Sequence, residues 1–131
     1  MKRILINIIT SLVLTFTIAV PNGFAGDVSP LGSWQTTSGE SRYEVTSCKN
    51  GKAICAKLVW LRSDARTPRN LKHLNKIILS NARAVQQNKW RGSLRYGGEN
   101  LNGSLTLVNS NKLQLNGCKF VFCKTINFKR I

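Results

Sequence analysis

At 131 residues and 42% hydrophobic, the chain has room for one domain with a modest core. Its 20 Lys and Arg against five acids give a formal net charge of +15, which favours acidic partners over cationic ones. A single histidine, with no phosphate loop, dinucleotide fingerprint or calcium loop, argues against the common catalytic and cofactor-binding classes, and no cofactor or metal is expected.

The N-terminus reads as a secretory signal peptide. Lys2 and Arg3 precede an apolar run from Ile4 to about Val20, Pro21 stops any helix, and Gly23-Phe24-Ala25 puts small residues where a signal peptidase cleaves. Asn7, Thr10, Ser11, Thr15 and Thr17 dilute the run, so a membrane anchor is the weaker reading. Residues 1–25 are therefore expected to be removed, leaving residues 26–131 as a single β-barrel-like domain, periplasmic or secreted. Lys2 and Arg3 leave with the peptide, so 18 basic residues remain against five acids, a net charge of about +13. Cys48, Cys55, Cys118 and Cys123 make an even set in a short exported chain, which reads as disulfides; their spacing fits a zinc site poorly.

Period-two alternation dominates the mature region. Tyr43, Val45 and Ser47 share one face, and after Lys49-Asn50-Gly51-Lys52 the face continues with Ile54, Ala56, Leu58 and Trp60. Asn-Gly between alternating runs is a strong hairpin signal. A two-residue turn places Glu44 opposite Lys57 and leaves Cys48 and Cys55 as outward diagonal neighbours, roughly 7–8 Å apart and too wide for a relaxed bridge. A six-residue loop puts the two cysteines face to face without turning any side chain to the other side. Either way the tip is expected to be distorted and closed by a disulfide.

The stretch Thr67–Asn88 is read as an irregular connection with one helical turn near Thr67-Pro68, leading into a strand near Ile77. A second block then runs from Lys89 to Phe128. Trp90, Leu94 and Tyr96 point one way, while Lys89, Arg91, Ser93 and Arg95 point the other. Gly97 to Asn100 is a turn, Leu101, Leu105 and Leu107 continue the apolar face, and Asn109-Ser110-Asn111 turns the chain again. Leu113 and Leu115 follow, a short loop from Cys118 to Cys123 closes, and Ile126 and Phe128 make a last strand. Consecutive hairpins of this kind predict an all-β fold, a small antiparallel barrel or a highly curved meander. The preferred pairings are Cys48–Cys55 and Cys118–Cys123, out of three connectivities, each worth about 2–3 kcal/mol because short loops gain least.

The ordered set Gly32-Ser33-Trp34, Cys48…Cys55, Leu58-Val59-Trp60-Leu61, Asp64 with Thr67-Pro68, Trp90-Arg91-Gly92, Leu113 to Cys118 and Phe128-Lys129-Arg130 resembles domain of unknown function 2147, an uncharacterised family of small exported bacterial proteins. The resemblance spans nearly all of the mature chain. It implies a calycin- or lipocalin-like barrel in which Trp34 packs under Arg130 to close the floor. The chain departs from the family where Phe128 replaces a Trp before the final Arg, where Thr67-Pro68 replaces Asn-Pro, where the glycine-and-tyrosine turn is blurred to Gly98-Glu99-Asn100-Leu101, and where Arg66, Arg69 and Lys72 occupy loops that are usually acidic.

Catalysis finds little support in the residues. His73 lies in a basic stretch without a nucleophile elbow, and the candidate carboxylates, Asp27, Glu40, Glu44, Asp64 and Glu99, fall in expected loops, near the new N-terminus, or, for Glu44, opposite Lys57. The chain is expected to be a monomeric, non-catalytic binding or interaction protein. A small apolar ligand would lie in an interior lined by Trp34, Tyr43, Leu58, Trp60, Trp90 and Leu94. The alternative is an acidic polymer or host protein held by Arg66, Arg69, Lys72, Lys89, Arg91 and Arg95. Filled and hollow interiors both remain open, with the filled one favoured for a chain this small.

Overall fold

The computed structural model of the protein describes residues 28–49 and 51–131. The expected signal peptide lies outside the described residues, as does Asn50. Eight antiparallel strands follow one another in chain order and close into a barrel: β1 Gly32–Thr36, β2 Ser41–Ser47, β3 Ile54–Leu61, β4 Ile77–Gln86, β5 Lys89–Tyr96, β6 Glu99–Asn109, β7 Lys112–Lys119 and β8 Phe122–Arg130. β1 closes the barrel on β8 through Trp34↔Arg130, Gln35↔Lys129 and Thr36↔Phe128. Closure leaves no free sheet edge in a strand-rich chain.

The alternation read from the sequence becomes the inside and outside of this barrel. Tyr43, Val45, Ala56, Leu58, Leu94, Leu105, Leu107, Leu113, Leu115 and Phe128 are buried, while the residues between them mostly face solvent. Trp34, Leu79, Leu105 and Leu113 are the largest fully buried side chains. Tyr43 meets Phe128 edge-on at 5.3 Å. The cavity enclosed by Trp34, Val45, Leu79, Leu105 and Leu113 is only about 10 Å³, so this half of the lumen is filled by side chains.

The two ends of the barrel differ. The floor end carries the Cys48–Cys55 tip, the Asn109–Lys112 turn and the C-terminal arginine. The lid end carries the β1–β2 turn, the connection from β3 to β4, the Gly97–Gly98 turn and the β7–β8 turn. Gly97 and Gly98 have φ of 60° and 80°, which suits a two-residue hairpin turn and any larger side chain poorly. The long connection holds a 3-10 turn at Ser63–Ala65 and one helical turn, α1 Pro68–Leu71, capped by the Thr67 hydroxyl accepting from the Asn70 N–H at 3.2 Å. It is tied down as a lid. Asn75 N–H donates to Leu58 O at 2.7 Å, the Asn70 amide to Ala65 O at 2.9 Å, and Arg62 reaches both Asp64 and the Ser38 carbonyl.

Two details differ from the pattern-based reading. The first hairpin keeps the register Glu44↔Lys57, with Cys55 opposite Thr46, so the two cysteines do not sit face to face. Cys48 still bridges Cys55 diagonally, across a Cα separation of 5.2 Å, and the Cys48 N–H donates to Ala53 O at 2.8 Å. The diagonal spacing of an ideal sheet was too pessimistic for a twisted tip. The second correction concerns Trp60. The register of β2 and β3 shifts between Arg42 and Tyr43, so Tyr43 faces Leu58 while Arg42 faces Trp60. That bulge moves Leu61 into the core and puts Trp60 on the outer face, half-buried beneath the Arg42 guanidinium at 4.4 Å. Trp60 does not line the interior.

A feature missed by simple alternation is a row of glycines. Gly92, Gly103 and Gly117 are direct cross-strand partners on β5, β6 and β7, all on the inward parity. A Cβ on Gly103 would meet Leu79 at 2.8 Å, and one on Gly117 would meet Leu94 at 2.7 Å. The glycines thus make room for two core leucines.

Candidate functional site

At the floor, Trp34 and Arg130 are adjacent strand partners facing inward. The Arg130 guanidinium lies 4.2 Å from the Trp34 ring centroid, and the indole N–H donates to Pro30 O at 2.8 Å. Arg130 also donates to the backbone carbonyls of Ser110 at 2.8 Å, Leu31 at 2.9 Å and Ser29 at 2.7 Å. With its donors spent on backbone carbonyls, Arg130 ties the N-terminal segment and the β6–β7 turn across the barrel's base.

The lid end is built differently. His73, from the lid, stacks on Tyr96 at the end of β5, with ring centroids 5.6 Å apart and planes inclined by 12°. Its Nε2 accepts the Gly97 N–H at 3.1 Å, so the neutral ring carries its proton on Nδ1. The Arg69 guanidinium lies 5.8 Å from the Tyr96 ring, and an ideal Cβ on Gly97 would come within 2.7 Å of its terminal nitrogen. Arg69, Lys72 and Lys76 from the lid thus meet Arg95 from β5 around His73 and the two glycines, along an open groove of about 380 Å³. Among the described residues no carboxylate lines this groove, and Glu99, just beyond Gly98, is paired with Lys119.

Burial holds the His73 imidazole below its usual 6.5, with Lys76, Arg69, Lys72 and Arg95 adding repulsion. A depressed histidine binds fewer protons folded than unfolded, so its contribution to stability is present above about pH 6.5 and is lost as pH falls toward the lowered folded value. The thermal midpoint of the wild type is therefore expected to drop more between pH 7.5 and 5.0 than that of His73→Gln. Equal drops in a calorimetric comparison would remove His73 from this account.

Beneath the lid sit two small hollows of about 50 Å³ each. One is bounded by Tyr43, Leu58, Leu61, Ile78 and Tyr96, the other by Leu94, Leu101, Leu115 and Ile126. Burial raises the Tyr43 phenol pKa, and its oxygen accepts from the Ser41 hydroxyl at 3.4 Å.

The family described as an uncharacterized protein conserved in bacteria (DUF2147) matches residues 32–130. The chain belongs to that family. The solved structure of a redesigned beta barrel is 14% identical, covers 77% of this chain and 90% of its own, and superposes with a TM-score of 0.48. No curated protein matches.

Set on this DUF2147 barrel, the residues singled out from sequence separate into groups. Trp34, Tyr43, Leu58 and Leu94 are buried in the lumen, and Trp90 is half-buried against it opposite Leu105. Cys48 is bonded to Cys55 and Cys118 to Cys123. Of the basic residues, Arg69, Lys72 and Arg95 converge on the groove. Arg66 is exposed on the lid, and Lys89 and Arg91 border a separate depression of about 430 Å³ with Gly92, Asn102 and Ser104. His73, Lys76, Gly97 and Gly98 complete the groove, and only the docking of the lid onto the β5–β6 turn brings them together. Of the candidate carboxylates, Asp27 lies outside the described residues, and Glu40 Oε1 is 4.0 Å from the Arg62 guanidinium. Asp64 accepts from Arg62 at 2.6 Å, which holds its carboxyl below the usual range, and Glu99 accepts from Lys119 at 2.9 Å with the same effect. Glu44 lies opposite Lys57 on the outer face.

Proposed function

We propose that the protein is an exported, non-catalytic binding module whose lid-end groove takes an anionic ligand bearing phosphate, sulfate or carboxylate groups. The observation that carries this reading is the convergence of Arg69, Lys72, Lys76 and Arg95 from two elements on a groove lined by no carboxylate. Four cations held close together repel one another, and an anion relieves that repulsion while accepting charge-assisted hydrogen bonds. The two disulfides fit an oxidising compartment. Non-catalysis is supported by His73, whose Nε2 is taken by a backbone N–H rather than by a nucleophile, and by the ion pairs that occupy Asp64 and Glu99.

An apolar ligand inside the lumen has less support. Ligand pockets usually span about 300–1,000 Å³, far above the 10 Å³ and 50 Å³ of the interior hollows. The anion therefore sits outside the lumen, against the lid.

Titration calorimetry with tripolyphosphate in 150 mM-class salt tests the reading. The double variant Arg69→Gln/Arg95→Gln is expected to bind at least about tenfold more weakly, since one charge-assisted hydrogen bond is worth roughly 1.5–3 kcal/mol. Lys89→Gln/Arg91→Gln, which removes the same charge from the other depression, is expected to change affinity less than about threefold. Equal losses in the two variants would mean diffuse attraction by net charge and would end the proposal.

A further inference from the structure

The β7–β8 hairpin ends in Phe120 and Val121, and Lys119 is paired with Phe122 behind them. Phe120, Val121 and Phe122 are 89%, 86% and 79% exposed, so three consecutive apolar side chains project into solvent. Single apolar residues on a surface are ordinary; a contiguous run at a projecting tip marks a contact site. Its chemistry also runs against the turn's own preference. Phe120 holds φ of 56°, the left-handed region that two-residue turns normally give to Asn or Gly. The next pair back, Cys118↔Cys123, is a disulfide, so the tip is braced in its projecting form.

The tip stands beside the cationic groove. Lys119 Nζ lies 2.9 Å from Glu99, the residue that follows the Gly97–Gly98 turn, and Glu99 in turn feels the charge of Arg69. Lys119 and Lys124 are exposed on either side of the disulfide. One end of the barrel therefore presents a narrow apolar wedge with Lys119 and Lys124 just behind it, and the groove of Arg69, Lys72, Lys76 and Arg95 at the same end.

We propose that this end docks on an anionic lipid surface, with Phe120, Val121 and Phe122 entering the bilayer interface and the surrounding cations meeting headgroup phosphates. The proposal rests on the anion-binding reading of the groove and names the source of the anions. A bilayer suits the shape better than a protein partner does. A projecting tip of three side chains is too small to form the core of a stable protein interface, whereas it can sink between headgroups. Aromatic residues favour that interfacial depth, and each cation near an anionic surface strengthens binding roughly fivefold.

The test uses the folded protein isolated from an exporting bacterial host and vesicles of phosphatidylcholine with or without phosphatidylglycerol. Co-sedimentation is expected with the mixed vesicles and to be at least tenfold weaker with pure phosphatidylcholine. Phe120→Ser/Phe122→Ser, which alters only exposed side chains, should keep the wild-type melting temperature and tripolyphosphate affinity but lose at least tenfold in vesicle binding. Arg69→Gln/Arg95→Gln should weaken both. A Phe120→Trp variant should shift its emission to the blue on adding mixed vesicles. Vesicle binding unchanged in the serine variant, or Trp emission that does not move, overturns the insertion. Tripolyphosphate binding without vesicle binding overturns the membrane while leaving the groove reading intact, and absence of both removes the two together. A wild-type dimer that dissociates in the serine variant reassigns the tip to a second copy of the chain and also overturns the proposal.

Discussion

Trp34→Ala is expected to lower the unfolding free energy by about 3–5 kcal/mol, the range for removing a fully buried large aromatic. The indole fills the floor of the lumen, donates to Pro30 O and forms the surface on which Arg130 lies. Its loss leaves a cavity below Leu113 and Phe128, and the barrel cannot collapse into it without breaking the β1–β8 closure. Arg130→Ala removes the cover from the other side and should cost about 2 kcal/mol, from the lost stacking and the three carbonyl contacts taken together. Because the two side chains act on one another, the double variant should be less destabilised than the sum of the singles. Urea unfolding followed by far-UV circular dichroism measures all four corners of this cycle. Strict additivity would show that Trp34 is ordinary core and Arg130 ordinary surface.

Gly92→Ala should destabilise the barrel by about 2–4 kcal/mol, although it adds one methyl to a half-buried position. An ideal Cβ there would come within 2.5 Å of Ser80 O, 2.7 Å of Ala82 Cα and 2.8 Å of Ala82 N. These are backbone atoms of β4, and they cannot turn aside as a side chain could. β4 comes so close because Asn81 has φ of 51°, which bends the strand inward where its pairing with β5 skips from Ser80 to Arg83. Ser93→Ala, the neighbouring outward position opposite Asn102, is the control and should stay within about 0.5 kcal/mol of the wild type. A Gly92→Ala melt as close to wild type as that of the control would mean that β4 can yield, and would withdraw the claim that this approach shapes the barrel.

Arg62 shows why a place in the basic long connection does not by itself make a cation available for binding. It sits in the basic long connection, yet its guanidinium is committed to Asp64 and to the Ser38 carbonyl, so it locks the lid to the β1–β2 turn. Arg69, only seven positions on, keeps its head over Tyr96 and the groove. The two arginines look alike in a charge count. Their partners separate them.

Much of the architecture was legible before any coordinates. Period-two burial assigned Tyr43, Val45, Leu94, Leu105, Leu113, Leu115 and Phe128 to the interior, because a strand that faces a core on one side must alternate. The glycine pair and the asparagine-rich turn located hairpins, and the short spacing of the cysteines matched them to their neighbours, since such constraints act within a few residues of chain. What tertiary structure alone decided are the events that break the period or join distant segments. A single shifted register between Arg42 and Tyr43 turned Trp60 outward, and the β4 backbone beside left-handed Asn81 came up against Gly92. Neither leaves a local signature, because a bulge is chosen by how two strands fit together. The meeting of Arg69, Lys72 and Lys76 with Arg95 likewise depends on closure of the barrel and docking of the lid, since no rule of spacing relates residues on separate elements. Exposure of Phe120 and Phe122 follows from the same cause, for only the closed barrel shows which turn points away from it.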